Sequence, residues 1–200
     1  MEQKGVMLGL KLPTDPRWVN IVEKNIEEIL TDHAYCEQKA ASNAISMLVK
    51  YSEFPDVVTE MTKIAIEEME HFGMVHEMIL KRNLTLGRER KDEYVNDLLK
   101  FVQKGGGNRT RLLVDRLLFS ALVEARSCER FRLLSEEIDD PELREFYREL
   151  MISEATHYTT FLGFAKKYGK DMDVDQRWQD FLQYEAEVIQ KYGKSETMHG

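Results

Sequence analysis

Six residues of this chain have the types and the spacing of a metal centre. Glu68 and His71 stand three apart in the string EMEH, and Glu154 and His157 stand three apart in EATH. An i, i+3 pair puts carboxylate and imidazole on one helical face, one turn apart. A lone glutamate precedes each pair: Glu37 lies 31 residues before Glu68, and Glu124 lies 30 before Glu154. The arrangement thus occurs twice, in halves that repeat to within one residue. Together they supply four carboxylates and two imidazoles. That mix of oxygen and nitrogen donors suits iron or manganese better than zinc or copper. Four ionised carboxylates balance two divalent cations, so a dinuclear centre is expected, with Glu37, Glu68, His71, Glu124, Glu154 and His157 as metal ligands. A Glu-x-x-His pair alone is a weak signal in a chain with 24 glutamates. The weight comes from register. All six fall on apolar stripes of helical period, where an ionised carboxylate is costly unless it is paired or holds a metal.

Long helices must position these residues. In PTDPRW, Asp15 serves as a cap and Pro16 as a first-turn residue. The helix they open is expected to run unbroken to about Tyr51, and its stripe of Ile26, Leu30, Ala34, Ala41, Ala44 and Leu48 contains Glu37. Pro55 is expected to end the turn that follows. A second helix is expected from about Asp56 to Arg82, with Met61, Ile64, Phe72, Val75 and Met78 or Ile79 around Glu68 and His71. A third runs from about Arg109 to Ile138, with Leu113, Leu117, Ala121, Phe131 and Leu134 in register with Glu124. DDP at 139–141 breaks it. The fourth carries Leu143, Tyr147, Leu150, Phe161 and Phe164 and stops at Gly169; a fifth, shorter helix spans about Val174 to Tyr192. Glu129 falls off the stripe of the third helix and is expected to matter less than Glu124. His33, one turn before Glu37, could approach the site but is expected rather to be packed or at a solvent edge, and His76 and His199 to be incidental.

The connections set the topology. Short breaks make helices one and two, and helices three and four, antiparallel hairpins. Residues 83–108 lie between the hairpins, and a chain that long easily crosses a helix of about 40 Å. Two hairpins joined by one long crossover is the ferritin-like topology. The expected fold is therefore all-α, a ferritin-like four-helix bundle in a single domain, with its core at about 16–168 and an additional C-terminal helix at about 174–192. In that fold this ligand pattern is a di-iron or di-manganese carboxylate site.

Composition narrows the class. A chain of 200 residues with 42% hydrophobic and 32% charged content reads as globular. No apolar run approaches a membrane span, and the first residues lack a secretory pattern, so a cytoplasmic location is expected. Cys36 and Cys128 are isolated, which excludes CxxC metal sites and leaves both as small core residues. KGGGN at 104–108 follows no strand and is not a dinucleotide fingerprint. The net charge of −8 argues against indiscriminate nucleic-acid binding, but residues 81–116 carry ten basic against five acidic residues. That segment is +5 and the remainder −13, an asymmetry that can mark one local anionic partner. Arg116 is expected to be structural, paired with Asp115 or a neighbouring helix.

Four strings go further: DHAYCEQKAAS (32–42), EEMEHF (67–72), RLLVDRLLFSALVEARSCERF (111–131) and SEATHY (153–158). They closely resemble the bacterial tRNA 2-methylthio-isopentenyl-adenosine hydroxylase family, over roughly residues 15–168, and EARSCERF is the most specific of them. The resemblance implies a non-haem di-iron monooxygenase, with two iron ions on the six residues above and O2 as co-substrate. It would hydroxylate the isopentenyl group of a hypermodified adenosine in the anticodon stem-loop of tRNA. The chain has no flavin, nicotinamide or iron–sulfur motif, so an external electron donor, a reductase or ferredoxin-like protein, is implied. Candidate tRNA contacts in or beside the crossover are Arg88, Arg90, Lys91, Lys104 and Arg109. A monomer or small homo-oligomer is expected. The rivals are a ferritin-like ferroxidase or iron-storage protein, a manganese catalase and a metal-free helical scaffold.

Overall fold

A computed structural model describes residues 7–102, 108–192 and 197–198. Among the described residues every regular element is helical. A 3-10 turn, Met7–Gly9, precedes α1 (Trp18–Lys24), α2 (Ile26–Lys50), α3 (Pro55–Lys81), α4 (Glu93–Leu99), α5 (Arg109–Glu137), α6 (Pro141–Tyr168) and α7 (Val174–Tyr192). None of these helices is long and apolar enough to cross a membrane. The expected first helix is two, because Asn25 leaves the helical region at φ −136°. Asparagine is a weak helix former, and its side chain makes no capping hydrogen bond to α2. Pro55 opens α3 rather than ending the turn before it, which suits a residue with no N–H to offer the helix. The helix α4 falls within the crossover, where no element was expected. Asp92 caps it by accepting a hydrogen bond from the Val95 N–H at 2.8 Å.

The chain divides into two compact units. One holds residues 24–91 and the tail residues 197–198. Here α2 and α3 form the first hairpin, with Leu30, Ala34, Ala41, Ala44 and Met47 buried on α2 and Met61, Ile64, Val75 and Ile79 on α3. The start of the crossover lies along α2. The Thr85 N–H donates to Glu27 and the Gly87 N–H to Thr31 Oγ1, both at 3.1 Å. Tyr35 donates to the Gly87 carbonyl at 3.1 Å and Lys39 to the Arg90 carbonyl at 3.0 Å. Both partner series ascend together, so the segment runs parallel to α2. The match is metric: from Glu27 to Lys39 a helix rises about 18 Å, and from Thr85 to Arg90 an extended chain advances about 17 Å. A Cβ at Gly87 would lie 3.3 Å from Thr31 Cγ2, so glycine eases this close approach of the segment. The tail joins the same unit. Met198 is fully buried, and its N–H donates to Asp32 Oδ2 at 2.6 Å.

The other unit holds residues 7–23 and 92–192. Its hairpin is α5–α6, turned by Asp140, whose carboxylate accepts from the Glu142 and Leu143 N–H groups at 3.0 and 3.1 Å. Leu113, Leu117, Ala121, Phe131 and Leu134 of α5 are buried, as are Leu143, Tyr147, Leu150 and Phe161 of α6. Buried residues occur all the way round α5, and this corrects the reading of Glu129 as off the core. Glu129 is buried and accepts from the Thr14 N–H at 3.1 Å and from the Thr14 hydroxyl. Arg126, 0% exposed, donates to Glu185 Oε1 of α7 through Nε at 2.9 Å and through its terminal nitrogen at 2.7 Å. Tyr94 donates to the same oxygen at 2.9 Å. Arg130 lies 4.4 Å over the Trp18 ring, and burial pushes its pKa down to about 10, still charged at neutral pH. Asp115 pairs with Arg177 of α7 at 2.7 and 2.9 Å, while Arg116 stacks 5.7 Å from Phe119. Adjacent residues on a helix point apart, so Asp115 and Arg116 face different neighbours.

Candidate metal centre

Each hairpin carries half of the expected ligand set, gathered and buried. In the first, Glu37 comes from α2, and Glu68 and His71 from successive turns of α3; all three are buried. His71 Nδ1 lies 3.4 Å from Glu68 Oε2 and 3.7 Å from Glu37 Oε2. The three residues offer ligand atoms within 4.8 Å of one another. His33, 0% exposed, places Nε2 at 2.6 Å from Glu37 Oε1. Burial pushes the Glu37 carboxyl up, but hydrogen bonds from His33 and His71 outweigh it and hold the group below the usual carboxylate range.

In the second hairpin Glu124 comes from α5, and Glu154 and His157 from one face of α6; all are buried, with ligand atoms again within 4.8 Å. Cys128, one turn beyond Glu124, is also buried. Burial, then the Glu154 charge, push its thiol up to about 12, so it stays protonated in the metal-free protein. Its Sγ lies 3.5 Å from the Met151 carbonyl, and neither it nor Cys36 forms a disulfide.

The donor chemistry fits a metal. Each half offers two carboxylates and one imidazole, the charge and atom types that suit one divalent iron or manganese ion. Carboxylates enclosed together away from water are expensive unless a cation joins them. All six sequence-derived ligands therefore fall into two triads. What the sequence undervalued is His33. The available signal was its i, i+4 spacing to Glu37 on the same stripe.

The basic residues fare differently. Arg88 and Lys91 are exposed on the crossover, and Arg109 is exposed at the start of α5. Arg90 is half-buried and engaged with α2, lying 3.4 Å from the Glu28 carboxylate and 3.4 Å from its carbonyl. Lys104, the glycines of KGGGN and His199 lie outside the described residues. His76 stacks on Phe72 at 6.3 Å and takes no part in either triad.

Known proteins settle the family. A family model described as tRNA-(MS[2]IO[6]A)-hydroxylase (MiaE) matches residues 3–200. The chain belongs to this family. Among MiaE relatives, a Pseudomonas putida protein named tRNA 2-(methylsulfanyl)-N(6)-isopentenyladenosine(37) hydroxylase is 34% identical over 190 residues, covering 95% of this chain and 91% of its own. A Salmonella typhimurium protein of the same name is 28% identical, covering 92% and 84%. The fold is similar to a solved structure described as Protein 43 with aldehyde deformylating oxygenase activity from Synechococcus. The TM-score is 0.88 at 31% identity, over 96% of this chain and 95% of that one. The chain thus has the ferritin-like fold that its connectivity implied: two antiparallel hairpins joined by a long crossover, with an additional C-terminal helix.

Proposed function

We propose that this chain is a di-iron monooxygenase that hydroxylates the isopentenyl group of 2-methylthio-isopentenyl-adenosine in tRNA, with O2 as co-substrate. The observation that carries the reading is a pair of buried two-carboxylate, one-imidazole triads in a chain matched almost end to end by the MiaE family. Glu37, Glu68 and His71 would act with Glu124, Glu154 and His157 as one centre for two iron ions, within a single domain. When bound, the iron pair supplies the two-electron activation of O2 that hydroxylation of an allylic C–H bond requires. The protein's part is to bring four carboxylates together, keep bulk water from them and admit the prenyl group. Electrons come from a separate donor protein, and the enzyme works in the cytoplasm as a monomer or small oligomer. The first test is loading. Protein made in iron-replete medium is expected to carry two iron atoms per chain by elemental analysis; full activity with one metal or none would sink the reading. The second is mass spectrometry of tRNA nucleosides from cells with and without the gene, where the hydroxylated nucleoside is expected only with it. Manganese loading with peroxide turnover would favour a catalase instead, and assembly into a hollow shell a ferroxidase or storage protein. The oxygenase activity in the Synechococcus protein's description supports a second reading, with an aldehyde as substrate. Parallel assays with aldehyde and with tRNA separate the two.

The basic segment guides the RNA in this reading. Arg88, Arg90, Lys91, Lys104 and Arg109 are the proposed phosphate contacts, and the acidic remainder disfavours other docking poses. Specificity then comes from splaying the modified base out of its single-stranded loop. Neutralising Arg88, Arg90 and Lys91 together is expected to raise KM for tRNA with little change in kcat. Each lost phosphate contact lowers the salt slope by about 1. Because Arg90 is already spent on Glu28, a fall of about 2 is expected rather than about 3. A triple variant with unchanged affinity and slope would place the RNA surface elsewhere.

A further inference from the structure

We infer that His33 is a positioning residue: it donates its Nε2–H to Glu37 Oε1 and so fixes which oxygen of Glu37 faces the ligand cluster. The inference rests on the di-iron reading above and extends it to a residue outside the six ligands. The geometry is specific. His33 Nε2 and Glu37 Oε1 are 2.6 Å apart, while the other oxygen, Oε2, is the one nearest His71, at 3.7 Å from Nδ1. Both residues are on α2, four apart, so one helical turn holds the bond in place. An ionised carboxylate only accepts hydrogen bonds, so the contact requires the hydrogen on Nε2. His33 is 0% exposed, so the contact is out of reach of bulk water.

A free glutamate side chain has three rotatable bonds and can present either oxygen, or both. With Oε1 accepting from His33, Oε2 is the Glu37 oxygen left turned toward His71. Hydrogen-bond partners of this kind orient metal ligands, and losing one typically costs about 10- to 100-fold in metal affinity. Leucine matches the volume of histidine without a donor, and glutamine returns an N–H near the position of Nε2. His33→Leu is therefore expected to weaken one of two cobalt(II) sites by about 10- to 100-fold, and His33→Gln to recover most of that loss.

The experiment has two arms. In the first, wild type, His33→Leu and His33→Gln are titrated with cobalt(II) alone, without tRNA, following the visible bands. Two sites in wild type, one weakened in His33→Leu and restored in His33→Gln, is the expected result. Unchanged affinity in His33→Leu overturns the inference. Equal loss in both variants also overturns it, since the imidazole itself would then be what matters. In the second arm, nitrogen-15 NMR of the metal-free wild type reads the His33 tautomer, and a hydrogen on Nδ1 alone overturns the donor assignment. Wild type that binds fewer than two ions counts against the di-iron reading, and the NMR arm then decides the His33 bond by itself.

Discussion

Replacing Glu124 with alanine is expected to abolish tRNA hydroxylation while leaving the protein folded. Glu124 is one of three donors in its triad, and a triad reduced to one carboxylate and one imidazole no longer balances a divalent ion. The fall in turnover should exceed the roughly 100-fold typical of losing an outer partner of a ligand. The helix itself has no need of Glu124. Alanine is the best helix former, and Leu113, Leu117, Ala121, Phe131 and Leu134 still bury the same stripe. The melting temperature of the metal-free variant should stay within about 4 °C of wild type, the shift for about 1 kcal/mol in a chain of this size. The two proteins should separate when metal is added. A ligand at 100 times its dissociation constant stabilises by about 2.7 kcal/mol per site, and the variant should lose that gain at one site. The control is Glu137→Ala, an exposed glutamate at the end of the same helix, which should leave turnover unchanged. Glu129→Ala cannot serve, because Glu129 is buried and bonded to Thr14. Normal turnover in Glu124→Ala would mean that the second triad does not hold metal.

The triads were legible in the sequence because their geometry is local. An i, i+3 pair fixes a shared face whatever surrounds the helix, and an apolar stripe says that the face is inward. The α7 boundaries, Val174 and Tyr192, were legible for the same reason. Glu129 was misread because its partners are not local. Thr14 lies 115 residues away, and Glu185, the partner of Arg126, lies 59 residues from it. No periodicity in α5 announces them, and a charged residue opposite the apolar stripe is ordinarily solvated. His33 was visible on the same face as Glu37, but spacing alone does not separate a packed imidazole from one bonded to a carboxylate. The path of residues 85–90 along α2 rests on backbone groups bonding Glu27, Thr31, Tyr35 and Lys39. Backbone partners carry no signature in residue type, so only Gly87 hinted at a close approach. The break at Asn25 was missed because neither glycine nor proline marks it.

The misread face of α5 carries the largest expected effect on stability. At 100° per residue, Glu129, Arg126 and Arg130 lie about 140°, 200° and 240° around the helix from Glu124. One helix thus presents a proposed metal ligand on one face and a buried ion network on the other. Glu185 of α7 supplies the oxygen that receives Arg126 twice and Tyr94 once. Glu185→Ala removes that oxygen and leaves Arg126 enclosed, with the Arg130 guanidinium nearby and Glu129 at 3.4 Å as its remaining carboxylate. Removing one partner of a buried ion pair costs about 3–5 kcal/mol, a fall of about 10 °C in melting temperature at this chain length. Tyr94→Phe, which deletes one hydrogen bond and keeps the ring, should cost about 1 kcal/mol. The double variant Arg126→Met with Glu185→Leu should recover much of the loss, because no uncompensated charge stays behind. Metal uptake per folded molecule should be normal in all three, since Glu124 is on the other face of α5. Urea unfolding monitored by circular dichroism supplies the energies, and cobalt(II) titration of the folded fraction supplies the stoichiometry. A Glu185→Ala protein within about 1 kcal/mol of wild type would mean that Arg126 finds water or another acceptor, and that the network contributes little. A folded Glu185→Ala protein that binds no metal would mean that the two faces of α5 are coupled, so that the ion network holds the ligand face in register.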